Sequence, residues 1–266
     1  MKLLVRWGLT LGLAGSTFLG VVLVPHIPAL ALPEQEIKAK LDGVPVYLVT
    51  NGKGIPLSRS LSNNQNGQKD GDSLTRVYMS RQEAQEFIKK LQQVKDKNPK
   101  LDEVVKTLQV TAVPLGSIYQ QIRETKNQPN RLIFDFKPVD RDIQGALDLL
   151  RQSGQKVDKF SGLPVFAVRF GADKGYVPIQ TAAEKQQLIP LFLSKQDAQG
   201  LLTQVKPKYR TADIQVIAVD EVIKTLQSKN DDWLKQVLLV PSPESREYMM
   251  SREYIKTLPN NKPSQK

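Results

Sequence analysis

Three kinds of residue in this sequence could carry chemistry: clustered acids, glycine-rich turns and a single histidine. Asp135, Asp140 and Asp142 lie close together, and two carboxylates sharing a pocket can divide acid–base work. Asp135, however, falls on the polar side of an alternating strand, and Asp140 reads as the cap of a helix. No acid–base pair is assigned. Asp70-Gly71-Asp72 resembles the start of a calcium loop but lacks the spaced carboxylates and closing Glu of such a loop, so it reads as a solvated turn. Gly162, Gly171 and Gly175 form no phosphate cradle, and no Walker pattern is present.

The histidine, His26, stands in an N-terminal stretch that begins with Lys2 and Arg6 and runs almost uncharged from Trp7 to Val24. Ala29-Leu30-Ala31 follows, with small residues where a signal peptidase reads. Residues 1–31 are therefore read as a cleaved secretory signal peptide. Cleavage lowers the net charge from +11 to +9 and leaves a chain with neither histidine nor cysteine. That composition excludes His-based triads, thiolate nucleophiles, disulfides and most zinc sites. No catalytic, metal-binding or cofactor-binding residue is assigned, and the chain reads as a binding protein rather than an enzyme.

The elements that would position any site are written twice. Residues 43–49 (GVPVYLV) return as residues 162–168 (GLPVFAV), each a turn-forming Gly-x-Pro ahead of β-branched and aromatic residues. Tyr78-Met79-Ser80 leads into a helical pattern with apolar Ala84, Phe87, Ile88, Leu91 and Val94. Phe192-Leu193-Ser194 leads into a matching one with Ala198, Leu201, Leu202 and Val205. Both follow helical spacing, with Phe87 and Leu201 at the centre of their stripes. Ser80 with Glu83, and Ser194 with Asp197, read as capping boxes. Residues 108–113 (LQVTAV) and 214–219 (IQVIAV) close the two units as strands. The fold class is therefore α+β: a tandem duplication of one αβ unit, its halves related by a pseudo-two-fold axis. The sheets should be mostly antiparallel or mixed, with packed helices.

The expected organisation is a first repeat over 32–139, a connector helix within 140–159, a second repeat over 160–240, and a C-terminal segment and tail over 241–266. Residues 32–40 read as a short polar leader, helical only through Ile37. Residues 58–73 read as a surface loop, and Pro114 as the first residue of a helix. Pro241-Ser242-Pro243 is expected to end the regular structure, with residues 258–266 disordered. Tyr248, Met249, Met250, Tyr254 and Ile255 come after the duplicated core. They form a semi-apolar segment and are the candidate protein-binding residues, since methionine-rich surfaces adapt to varied partners. Lys and Arg are interspersed with acids and show no aromatic-basic motif, so no nucleic-acid partner is expected.

Read together, G-x-P-V-[FY]-x-V and [FY]-[ML]-S-[RK]-x-[ED]-A-Q, each given twice, resemble the 22-kilodalton soluble component of the chloroplast inner-envelope translocon (the Tic complex) and its cyanobacterial counterparts. The likeness covers nearly the whole mature chain, and the bacterial-type signal is similar to that of a cyanobacterial member. It implies a protein of the periplasm, and also of the thylakoid lumen, with two related halves in a butterfly shape bearing apolar pockets. It further implies a chaperone-like factor in protein transport and outer-membrane biogenesis. The partners would be unfolded or precursor proteins and the periplasmic domains of the outer-membrane insertase, with peripheral membrane contact. The alternative is a structural adaptor binding one fixed envelope partner. The likeness carries no catalytic residue.

Overall fold

The computed structural model describes residues 31–61, 71–94, 99–180, 186–229, 231–251 and 254. The signal-peptide reading of residues 1–31, apart from Ala31, lies outside the described residues, as does the reading of the tail 258–266. The first unit comprises α1 (Glu34–Asp42), β1 (Pro45–Thr50), β2 (Ser58–Ser60), β3 (Ser73–Tyr78), α2 (Arg81–Gln93), α3 (Pro99–Lys106), β4 (Gln109–Pro114), α4 (Leu115–Thr125), β5 (Leu132–Lys137) and α5 (Asp140–Gln152). The second comprises β6 (Pro164–Arg169), β7 (Ile179–Gln180), β8 (Gln187–Phe192), α6 (Lys195–Val205), β9 (Asp213–Ala218), α7 (Val219–Ser228), α8 (Asp232–Lys235), β10 (Val237–Val240) and α9 (Pro243–Met250). The protein is α+β, and each unit holds a five-stranded sheet.

The two sheets share one plan. β1 pairs antiparallel with β3 and β4, as β6 does with β8 and β9. β5 runs parallel to β3, as β10 does to β8. Short β2 and β7 extend the pairing antiparallel to β3 and β8. Individual hydrogen bonds repeat too. Leu115 N–H donates to Val44 O at 2.8 Å and Val219 N–H to Leu163 O at 2.8 Å, while Met79 N–H reaches Lys137 O at 3.1 Å and Leu193 N–H reaches Val240 O at 3.0 Å. A cavity of about 20 Å³ shows the axis directly. Its lining falls into six repeat-related pairs: Val44 with Leu163, Pro45 with Pro164, Met79 with Leu193, Pro138 with Pro241, Val139 with Ser242, and Asp142 with Ser245.

Strands β1 and β6 are near-continuous apolar runs because both of their faces are covered. Val46 and Leu48, with Val165 and Ala167, enter one central core together with α1, α4 and α7. Tyr47 and Val49 face an outer cluster under α2, and Phe166 and Val168 face one under α6. The supposed polar leader belongs to this central core. Leu32, Ile37 and Leu41 are buried, and Leu32 N–H donates to Leu226 O of α7 at 3.2 Å. Helix α1 continues to Asp42 because Leu41 stands one helical turn beyond Ile37 and both find apolar cover. Gly116 allows α4 to approach α1 closely, since a β-carbon there would stand 2.5 Å from Lys38 O.

Other sequence expectations are corrected by tertiary contacts. Residues 58–73 hold β2 and the start of β3, with residues 62–70 between them outside the described residues. Asp72 is not in a solvated turn. It is fully buried, its Oδ2 accepts from Arg131 Nε at 2.9 Å and its Oδ1 from Arg131 N–H at 3.1 Å. Pro114 is the N-cap of α4 rather than its first residue, and Asp140 is the first residue of α5 rather than its cap. Val94 is exposed, because α2 ends at Gln93. Regular structure does not stop at Pro241-Ser242-Pro243: α9 follows, with Pro243 at a position suited to its missing N–H.

Candidate functional site

Helix α9 holds Tyr248, Met249 and Met250 of the candidate residues and touches both units. Ser242 caps it, accepting from Ser245 N–H at 3.3 Å. Ser245 is buried and accepts from the Tyr47 hydroxyl of β1 at 3.1 Å. Glu244 Oε1 accepts from Gln82 N–H at the start of α2, at 2.8 Å. The Arg246 guanidinium grips Asp197 of α6 with two bonds, at 2.7 and 3.0 Å, and also reaches Pro241 O at 2.6 Å. Those carboxylate bonds raise the Arg246 pKa. Burial pushes the Tyr47 phenol up to about 12, with the Ser245 bond opposing it.

The sequence signal failed at α6 for a related reason. Ser80 caps α2 as expected, accepting from Glu83 N–H at 3.2 Å, although the Glu83 side chain turns toward Lys137. Ser194 makes no capping bond, and its hydroxyl is buried without a hydrogen-bond partner. Asp142 of α5 takes its place, its Oδ1 accepting from Lys195 N–H at 2.9 Å. Asp197, read as the acidic member of that box, serves Arg246 instead.

These contacts show an exchange. Counting from the shared proline, Pro138 or Pro241, α9 is the repeat counterpart of α5, with Ser245 at the place of Asp142 and Tyr248 at that of Gly145. Helix α5 packs on α6, β6 and β9 of the second unit, whereas α9 returns to β1 and α2 of the first. The environments correspond as well. Arg81 stacks 4.7 Å above the Tyr248 ring, and its counterpart Lys195 lies where a β-carbon on Gly145 would meet it at 2.5 Å. The spacing rules place an apolar stripe on each helix, but not the sheet that receives it.

The candidate residues separate accordingly. Tyr248 packs edge-on to Tyr47, with centroids 5.8 Å apart, and Tyr254 packs against Tyr248 at 5.4 Å. Met249 is half-buried, and Met250 is 74% exposed at the end of α9. Ile255 lies outside the described residues. Three of the five residues thus have partial cover, and one projects freely.

A groove of about 360 Å³ opens on the same outer face of the first sheet, lined by Val49, Leu57, Leu74, Tyr78 and Phe87. Arg59 and the Arg76–Asp135 pair, joined at 2.8 and 3.0 Å across β3 and β5, form its polar rim. Tyr78 and Phe87 read from sequence as core; Tyr78 is buried and Phe87 half-buried, their rings 5.8 Å apart. The counterparts of Val49, Tyr78 and Phe87 in the second unit are Val168, Phe192 and Leu201, and there the surface is filled. Leu149 of α5, with Phe160 and Phe170, packs into that cluster. Helix α9 is shorter than α5 and ends at Met250, so among the described residues no counterpart of Leu149 covers the first unit's groove. Leu57 and Leu74 were not picked out from sequence, because their role depends on this missing cover.

Among the described residues no group of three or more Asp, Glu, His or Cys side chains is placed to hold a metal ion. No described helix is long and apolar enough to cross a membrane.

The sequence profile of the Tic22-like family matches residues 16–251. Among solved structures, the chain is similar to "Anabaena Tic22 (protein transport)" at 65% identity and a TM-score of 0.79, over 87% of this chain and 99% of that one. It also resembles Tic22 from Plasmodium falciparum at 18% identity and a TM-score of 0.57, over 84% of this chain and 99% of that one, a likeness of fold. No curated protein matches the chain.

Proposed function

The chain belongs to the Tic22-like family, and from that membership we propose that it serves protein transport as a binding protein that holds apolar segments of other chains. The open groove on the first sheet carries this reading, since the repeat-related surface of the second unit is filled by the protein's own side chains. A groove with apolar walls and a few polar groups at its rim suits an extended segment whose alternate side chains are apolar. Met250, exposed at the end of α9, offers further apolar surface.

The finer reading is a chaperone-like factor of the periplasm, secreted by a cleaved signal peptide, whose clients are unfolded precursors of outer-membrane barrels. A cysteine-free chain is suited to an oxidising compartment. The test is fluorescence anisotropy of labelled, denatured barrel chains mixed with the protein. Binding with a Kd of about 10⁻⁶ M, tolerant of salt, is expected, and Phe87→Asp or the double change Met249→Asp, Met250→Asp should weaken it. Binding that ignores both changes would sink the groove as the site. Binding to only one envelope protein would favour the fixed adaptor.

A further inference from the structure

Four helices begin at one end of the seam between the units: α2, α5, α6 and α9. A cleft of about 520 Å³ lies between their starts. Six carboxylates line it, those of Glu83, Glu86, Asp140, Asp142, Glu244 and Glu247; among the described residues Arg141 is the only cation in the lining, while Lys137 beside it pairs with Glu83 and Asp140. This concentration of negative charge occurs in a chain of net charge +11.

Part of the cluster has a local explanation. A helix start carries partial positive charge, and Asp142 and Glu244 each accept a backbone N–H of a neighbouring helix. Glu86 and Glu247 are different. Each lies a full turn or more inside its helix, is exposed, and caps nothing.

Asp142 supplies an independent observation. It is only 2% exposed, and its Oδ1 is used at Lys195 while its Oδ2 is buried without a hydrogen-bond partner. The residue lines both the seam cleft and the axial cavity, whose lining also includes Ser242 and Ser245. A buried carboxylate oxygen with no donor calls for a cationic or N–H donor. The carboxylates are not arranged as metal ligands among the described residues. An extended row of acids around one recessed oxygen suits the long side chain of Arg or Lys, whose charge sits at the end of a flexible stem.

We propose that this cleft is a docking site for an arginine- or lysine-bearing segment of a partner protein, with one cationic head directed toward Asp142 and its neighbours set against Glu86 and Glu247. The site shares no lining residue with the apolar groove, so the two readings succeed or fail separately.

The test uses the full chain and a labelled hexa-arginine peptide, followed by anisotropy. Asp142 holds α6, so the variants are placed at the exposed acids. The double change Glu86→Gln, Glu247→Gln should weaken binding about fivefold, while Glu103→Gln with Asp148→Asn, an equal loss of charge elsewhere, should leave it unchanged. Salt at roughly 0.3 M, where charges are screened within less than about 8 Å, should also weaken it. Client binding in the apolar groove should not respond to either double change. No binding of hexa-arginine, an equal loss in both double variants, or equal binding of a hexaglutamate peptide overturns the proposal.

Discussion

Replacing Asp142 with Asn and, separately, with Ala should divide its two roles, because one carboxylate oxygen caps α6 while the other is buried without a partner. Asparagine keeps an acceptor at the Oδ1 position and removes the charge, whereas alanine removes both. Loss of an N-cap costs about 1–2 kcal/mol. For a chain of this size that corresponds to roughly 2–8 °C in Tm, so Asp142→Ala should melt lower than Asp142→Asn by that margin. Burial raises the Asp142 pKa, and the Lys195 N–H only partly opposes it. A carboxyl whose folded pKa exceeds its unfolded value binds its proton more tightly when folded. Its contribution to stability therefore falls as pH rises from the ordinary carboxylate range through the raised value. Above the raised value the wild-type side chain is in its costly ionised form, so there Asp142→Asn should be as stable as wild type or more so, and that advantage should fade on acidification. Thermal melts of the three proteins at neutral and mildly acidic pH give the answer. Equal destabilisation by Asn and Ala, or an Asn variant whose relative stability improves on acidification, would refute the assignment.

Ser80→Ala should cost about 1 kcal/mol while Ser194→Ala should be close to neutral, a contrast that matched melts of the two variants would measure. Ile88→Ala and Leu202→Ala, the buried members of their stripes, should each cost about 2–5 kcal/mol; half-buried Phe87→Ala should cost less and show its effect mainly in client binding. Asp72→Ala should cost on the order of 3 kcal/mol in denaturant titration, since it removes the fully buried member of the ion pair with Arg131. Tyr47 should ionise near pH 12 by difference absorbance. Its raised pKa makes stability fall as pH climbs from about 10 toward that value, and Tyr47→Phe should remove that part of the alkaline loss.

Much of the architecture was readable because the duplication repeats local signals. Gly-x-Pro before β1 and β6, the apolar runs of those strands, and the Ala84/Ile88 and Ala198/Leu202 stripes all depend on neighbours in sequence. What could not be read depends on neighbours in space. Ser80 and Ser194 carry equivalent local patterns, yet only α6 has Asp142 delivered to its first N–H. Leu32, Ile37 and Leu41 give too short a pattern to identify a core helix until α7 and β10 cover them. Tyr248 looks the same whether exposed or set against Tyr47. The groove was least visible of all, because it depends on the different lengths of α5 and α9 among the described residues rather than on any residue that lines it.

The return of α9 to the first unit also orders events in time. A ribosome makes β1 early and α9 near the end, and the bond between Tyr47 and Ser245 spans 198 residues of chain. Until the last helix emerges, Tyr47 lacks the aromatic lid and the hydroxyl partner it has in the finished molecule, and the start of α2 lacks the carboxylate of Glu244. The first half therefore cannot mature ahead of the second, as an independent N-terminal domain would during synthesis. Closure of the two sheets becomes a single late step of high sequence separation, which is intrinsically slow. A chain of this design completes its first unit only once α9 is made.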